Sequence, residues 1–184
     1  MTFSMPMLPI IGSKAPSFSL PDQDGAVHTL RQYAGSWVLL YFYPKDDTPG
    51  CTMEACGLRD AWAGFRKIGA HVLGVSVDPV KAHAKFAVKY ALPFPLLSDA
   101  DKTVVAAYGV WAKKKFMGRE YLGTLRHSFL IDPKGKIAKI YLNVSPKGHA
   151  EEVLADLATL SNGAKKGGAR SGAAGLTTRA AKKK

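Results

Sequence analysis

Trp37-Val-Leu-Leu-Tyr-Phe-Tyr43 runs directly into Pro44-Lys-Asp-Asp-Thr48-Pro-Gly-Cys51-Thr-Met-Glu-Ala-Cys56. The first seven residues form an unbroken apolar and aromatic run, the pattern of a strand buried on both faces. After a turn-forming stretch, Leu58, Trp62 and Phe65 recur at the i, i+4, i+7 spacing of an amphipathic helix. Outward from this unit, residues 71–77 (HVLGVSV) read as a second buried strand. Residues 80–91 are helix-like, with Phe86 and Tyr90 on one face. A short strand at 96–97 and a short helix at 103–108 follow. Strands at 128–131 and 137–142 then flank the turn PKGK, and a closing helix over 150–160 has apolar residues at 153, 154, 157 and 160. Upstream, residues 18–20 and 27–30 flank PDQDG, which suggests a hairpin. This order predicts an α/β architecture with a central sheet covered by helices. Right-handed crossovers then place strands 37–43 and 71–77 parallel and adjacent.

The chain has 184 residues, two cysteines and a formal charge of +12. Its length suits one domain with a tail, 1–162 and 163–184, and is ample for a hydrophobic core. Two cysteines are too few for a disulfide scaffold and cannot alone supply a four-ligand zinc site. The longest purely apolar run, 37–43, falls far short of the ~20 residues of a membrane helix. The first twelve residues contain no Lys or Arg and carry prolines where a signal peptide would be apolar. A cytoplasmic, reducing setting without membrane association is therefore expected. From Gly163 onward there are seven basic residues and no acidic ones, so +12 divides into +5 for the body and +7 for the tail. With Leu176 as its only large apolar residue, the tail is expected to be disordered.

Cys51 stands where a buried strand hands over to a helix, the usual place for a functional site in an open α/β sheet. Pro49 and Gly50 permit a tight turn that leaves Cys51 in the first helical turn, where unpaired N–H groups and the helix dipole favour an anion. Helix N-termini with nearby cations convert weakly ionised thiols into reactive thiolates. A buried structural cysteine is the competing reading for Cys51 alone. Cys56 bears on that choice. Five residues of regular helix rise ~7.5 Å and turn ~140°, beyond the ~7 Å over which two Cα atoms can be bridged. A Cys51–Cys56 bond therefore requires the first turns to unwind, which predicts a wound state presenting the thiolate and a frayed, disulfide-bonded one.

The pattern Pro44-x-x-x-Thr48-x-x-Cys51 resembles the active-site signature of peroxiredoxins, and the spacing to Cys56 resembles the peroxiredoxin Q, or bacterioferritin comigratory protein, subgroup. The resemblance begins at GSKAPSFSLPDQDG, passes through VLGVSVD and LRHSFLIDPKGKI, and covers about residues 10–160. It implies a thioredoxin-like fold, with a central mixed sheet flanked by helices, and thiol-dependent reduction of hydroperoxides in antioxidant defence. On this likeness Cys51 is the peroxidatic cysteine, oxidised to a sulfenic acid. Cys56 is the resolving cysteine that closes an intramolecular disulfide, and thioredoxin or a similar dithiol protein reduces it. Thr48 would hydrogen-bond the thiolate and the peroxide, Arg126 would lie beside the thiolate, and Pro44 would shield the pocket. The likeness also implies a monomer. Sulfur carries the redox chemistry, so no metal or organic cofactor is expected.

Other residues read more plainly. Glu54 fits an acid in a first helical turn, favoured by the dipole, with contact to Arg126 as the other reading. Asp46 and Asp47 read as solvated loop carboxylates, and the five histidines (28, 71, 83, 127, 149) as structural or surface groups without ligand spacing. Strand alternation should point His127 away from the face of Arg126. Trp62 and Phe65 read as core, and residues 113–115, three lysines, as a solvated loop. Two other functions compete with the peroxidase. A disulfide oxidoreductase would ordinarily need Cys-x-x-Cys. The basic tail suits weak, nonspecific and salt-dependent nucleic-acid contact, and lacks the aromatics that stack on bases.

Overall fold

A computed structural model of the chain describes residues 7–167, with side chains to residue 163. A short antiparallel hairpin, β1 (Ser19–Pro21) and β2 (Val27–Thr29), leads into β3 (Trp37–Phe42). Helices α1 (Pro49–Asp60) and α2 (Trp62–Ile68) follow, then β4 (Ala70–Ser76), α3 (Val80–Tyr90), β5 (Leu96–Ser98) and α4 (Thr103–Ala107). A second hairpin, β6 (Trp111–Phe116) and β7 (Arg119–Thr124), precedes β8 (Ser128–Ile131), β9 (Ile137–Tyr141) and α5 (His149–Gly167). The central sheet is mixed and five-stranded, in the order β5-β4-β3-β8-β9. β3 pairs with β4 in parallel and with β8 antiparallel, so the expected adjacency of the two buried strands holds.

The continuous apolar character of β3 follows from its central place. Trp37, Leu39, Tyr41 and Tyr43 point to one face, against Ala55, Leu58, Phe65, Phe86, Val153 and Leu157 from α1, α2, α3 and α5. Val38, Leu40 and Phe42 point to the other, against Phe18, Leu20, Val104, Tyr108 and Phe129. Each such side chain contributes about 1.5–3 kcal/mol when fully removed from water, and every residue of β3 is buried. Phe65 is fully buried and Trp62 packs against the same cluster.

Three expectations are corrected. The helix read across Leu58, Trp62 and Phe65 is two helices, separated at Ala61 (φ −86°, ψ 0°). The three lysines at 113–115 belong to β6 rather than to a loop. That hairpin turns on Met117 and Gly118, both at positive φ, the two-residue geometry that matches strand twist. Asn-Gly would have announced this turn, whereas Met-Gly beside a run of lysines lacks both turn signal and apolar alternation. Finally, α5 continues to Gly167, five residues into the segment expected to be disordered, while residues 168–184 lie outside the described residues. Among the described residues no helix is long and apolar enough to cross a membrane.

Candidate active site

The loop leaving β3 delivers Cys51 into the first turn of α1. Pro49 occupies the first helical position, where its missing N–H costs nothing. Thr48 is the residue before the helix and has extended backbone (φ −96°, ψ 154°). Cys51 is 1% exposed and Cys56, five residues along the same helix, is half-buried; both are free thiols.

Arg126, two residues before β8, reaches Cys51 from the strand that pairs directly with β3. Its Nη2 donates to Cys51 Sγ at 3.3 Å, and its Nη1 donates to Glu54 Oε2. Gly50 makes room for this approach: a Cβ on residue 50 would stand 3.1 Å from Nη2, well inside the ~3.5–4.0 Å of an ordinary contact. The Arg126 side chain is 17% exposed and that of Glu54 fully buried. Burial opposes the charge on Arg126, and the neighbouring Glu54 and Cys51 reverse that, raising its pKa above the ordinary value. For Glu54 burial wins. It pushes the carboxyl up to about 7 against the pull of Arg126. Contact with Arg126 is the reading of Glu54 that holds: it is the sixth residue of α1, beyond the first turn in which the dipole favours an acid.

Thr48 and Pro44 occupy the connecting loop, both half-buried. The Thr48 hydroxyl donates to the Lys45 carbonyl at 2.9 Å, which leaves its lone pairs as the part able to face a thiol or a peroxide proton. Four other groups lie near this centre although no sequence motif marks them. Lys114, on β6, donates to the Thr124 carbonyl at 3.2 Å. Its pKa is lowered by burial and by Arg126, with Cys51 pulling the other way. His149 lies 2.9 Å from the Ser128 hydroxyl through Nε2, and burial, helped by Arg126, pushes it down to about 4. Tyr41 is fully buried, and burial together with Glu54, Cys51 and Asp46 raises its pKa. Asp46 is not a solvated loop carboxylate. It is 9% exposed and lies 2.7 Å from both Tyr43 Oη and His83 Nδ1. His127 is buried and accepts the Asn143 N–H at 3.1 Å through Nδ1, a structural role.

A thiol at a helix N-terminus with one guanidinium on its sulfur can attack an electrophile and have the developing charge met by a fixed donor. Known proteins share this arrangement's scaffold. Residues 11–140 match the AhpC/TSA family. The chain is 51% identical over 147 residues to a putative peroxiredoxin bcp of Coxiella burnetii, covering 80% of this chain and 97% of that one. It is 49% identical over 143 residues to peroxiredoxin Bcp of Escherichia coli, covering 78% and 92%. A cysteine mutant of Xylella fastidiosa PrxQ superposes with a TM-score of 0.80 at 36% identity, covering 84% and 99%. Xanthomonas campestris bacterioferritin comigratory protein, studied for its alkyl peroxide reduction activity, superposes at 0.75 with 40% identity, covering 78% and 92%. The chain therefore belongs to the AhpC/TSA family and is a peroxiredoxin of the Bcp/PrxQ kind.

Proposed function

We propose that Cys51 is the peroxidatic residue and Cys56 the resolving one of a peroxidase acting on hydrogen peroxide and organic hydroperoxides. The observation that carries this reading is the guanidinium of Arg126 on Cys51 Sγ, with its other nitrogen bound to Glu54. The Cys51 thiolate attacks the terminal peroxide oxygen. A sulfur–oxygen bond forms, the O–O bond breaks, and the departing alkoxide or hydroxide takes up a proton to leave as alcohol or water. Arg126 meets negative charge as it spreads from sulfur to the departing oxygen, without reorganising. Thr48 accepts a hydrogen bond from the peroxide O–H through its lone pairs, and Pro44 limits the access of water.

Cys56 thiolate then attacks the Cys51 sulfenic sulfur, forming the disulfide and releasing hydroxide, which is protonated to water. Thioredoxin or a similar dithiol protein supplies two electrons to restore both thiols. The enzyme works as a cytoplasmic monomer; weak nucleic-acid contact by the basic tail lies outside the described residues.

The test follows NADPH oxidation in the presence of thioredoxin, its reductase and either hydrogen peroxide or an alkyl hydroperoxide. Peroxide-dependent turnover is expected, with Cys51–Cys56 the bond found by mass spectrometry of the oxidised chain. Peroxide left unconsumed, or a disulfide between chains, would overturn the assignment.

A further inference from the structure

Helix α3 holds the Cys51–Cys56 segment at both ends. Upstream, Asp46 faces His83 Nδ1 of α3 at 2.7 Å, and its backbone N–H donates to Asp78 at 2.9 Å. His83 is fully buried and its Nε2 lies 3.2 Å from the Leu97 carbonyl, so each ring nitrogen faces an oxygen. The next residue, Asp47, sits in the left-handed region (φ 55°). It is held there by Lys89 Nζ at 2.7 and 2.9 Å and by the Tyr90 hydroxyl at 2.7 Å, both from the last turn of α3. Downstream, Arg59, in the last turn of α1, donates from Nη1 to the Tyr90 carbonyl at 2.8 Å. Both cysteines lie between these attachments.

We infer that this α3 clamp, through Lys89, Tyr90 and Arg59, sets the rate at which the Cys51 sulfenic acid passes to the Cys51–Cys56 disulfide. The inference rests on the peroxidase reading above. Five residues of intact helix keep the two sulfurs apart, so resolution waits for α1 to unwind. Each clamp contact is made with α1 wound, and unwinding that draws on the flanks must break it. The competing step is oxidation of the sulfenate by a second peroxide, in which sulfur gains an oxygen, the O–O bond breaks and alcohol or water leaves. A tight clamp prolongs the sulfenic state and favours this second oxidation; a loose one favours the disulfide. Lys89 and Tyr90 are thus positioning residues and touch no reacting atom, whereas the charge of Arg59 also acts on Cys56.

The experiment mixes reduced full-length protein with hydrogen peroxide. Samples are quenched at successive times, and thiol, dimedone-trapped sulfenic acid, disulfide and sulfinic acid are counted by mass spectrometry. In Lys89→Ala, sulfenic acid should form at the wild-type rate while disulfide forms roughly two- to fivefold faster, the scale of an exposed ion pair. Tyr90→Phe should act in the same direction, and its combination with Lys89→Ala should further lower the sulfinic fraction at high peroxide. Lys89→Arg should restore the wild-type rate, which a general loosening of the fold would not produce. Unchanged or slower disulfide formation in all the variants would overturn the clamp. A wild-type protein whose Cys51 is not oxidised by peroxide would overturn the peroxidase reading itself, a distinguishable result.

Discussion

Arg126 Nη2 stands 3.3 Å from Cys51 Sγ although 75 residues separate the two in the chain. The same guanidinium spends its other terminal nitrogen on Glu54, one helical turn beyond Cys51. A single planar cation thus bridges the sulfur and a buried carboxylate on the same helix. This fork explains why a compact ammonium would be a poor replacement.

Arg126→Lys is accordingly expected to lower the second-order rate constant for peroxide by about 10²-fold, the loss typical of one preorganised donor. Stopped-flow measurement of peroxide consumption checks it, with circular dichroism showing an unchanged fold. A rate within twofold of wild type would mean that positive charge alone is sufficient.

Cys51→Ser should abolish peroxide reduction with the fold intact. Cys56→Ser should permit one oxidation of Cys51 and then accumulate sulfinic acid, visible as a mass gain of two oxygens. Sustained turnover by the second variant would require resolution by a thiol from another molecule.

Gly50→Ala tests the approach of Arg126 directly. Alanine favours the helix, yet its Cβ would crowd Nη2 at 3.1 Å. Thermal stability should therefore be retained while the peroxide rate constant falls about tenfold through displacement of the guanidinium. Equal activity in the variant would show that the arginine has freedom to withdraw.

Two buried groups give the stability opposite pH dependences. Glu54 is raised from 4.5 to about 7 in the folded chain, so its stabilising contribution is full below pH 4.5 and is lost as pH rises through 7. His149 is depressed from 6.5 to about 4, so its contribution is full above pH 6.5 and is lost as pH falls toward 4. Urea denaturation between pH 4 and 8 should show Glu54→Gln losing the decline toward neutrality, and His149→Gln losing the decline toward acid. Parallel curves for wild type and both variants would refute these assignments.

Much of the fold is legible in the amino-acid sequence. The β3 run announces a strand covered on both sides, and the turn chemistry of Pro49 and Gly50 places Cys51 at the head of a helix. What escapes is structure stabilised mainly by its own partner strand. β6 and β7 pair with each other outside the central sheet, so Lys113 and Lys115 stay exposed with only Lys114 half-buried between them, and the run leaves no apolar period to read. Asp46 and Glu54 are misread for a related reason. Both are acidic residues whose sequence context gives no sign of burial, and only the packing of α3 and the arrival of Arg126 remove them from water.

Sequence alone therefore determined what depends on near neighbours along the chain: the buried strand, the helix start beneath Cys51, and the five-residue spacing that forbids a disulfide in a wound helix. Those features arise from backbone sterics, turn geometry and side-chain periodicity, which act over a few residues. The tertiary structure decided the electrostatics of the site. The antiparallel pairing of β3 with β8 brings residue 126 to residue 51, and the seating of α3 under the loop binds Asp46 and Asp47. Charge interactions and burial depend on distance through space, and in this chain that distance was set by the register of strands far apart in sequence.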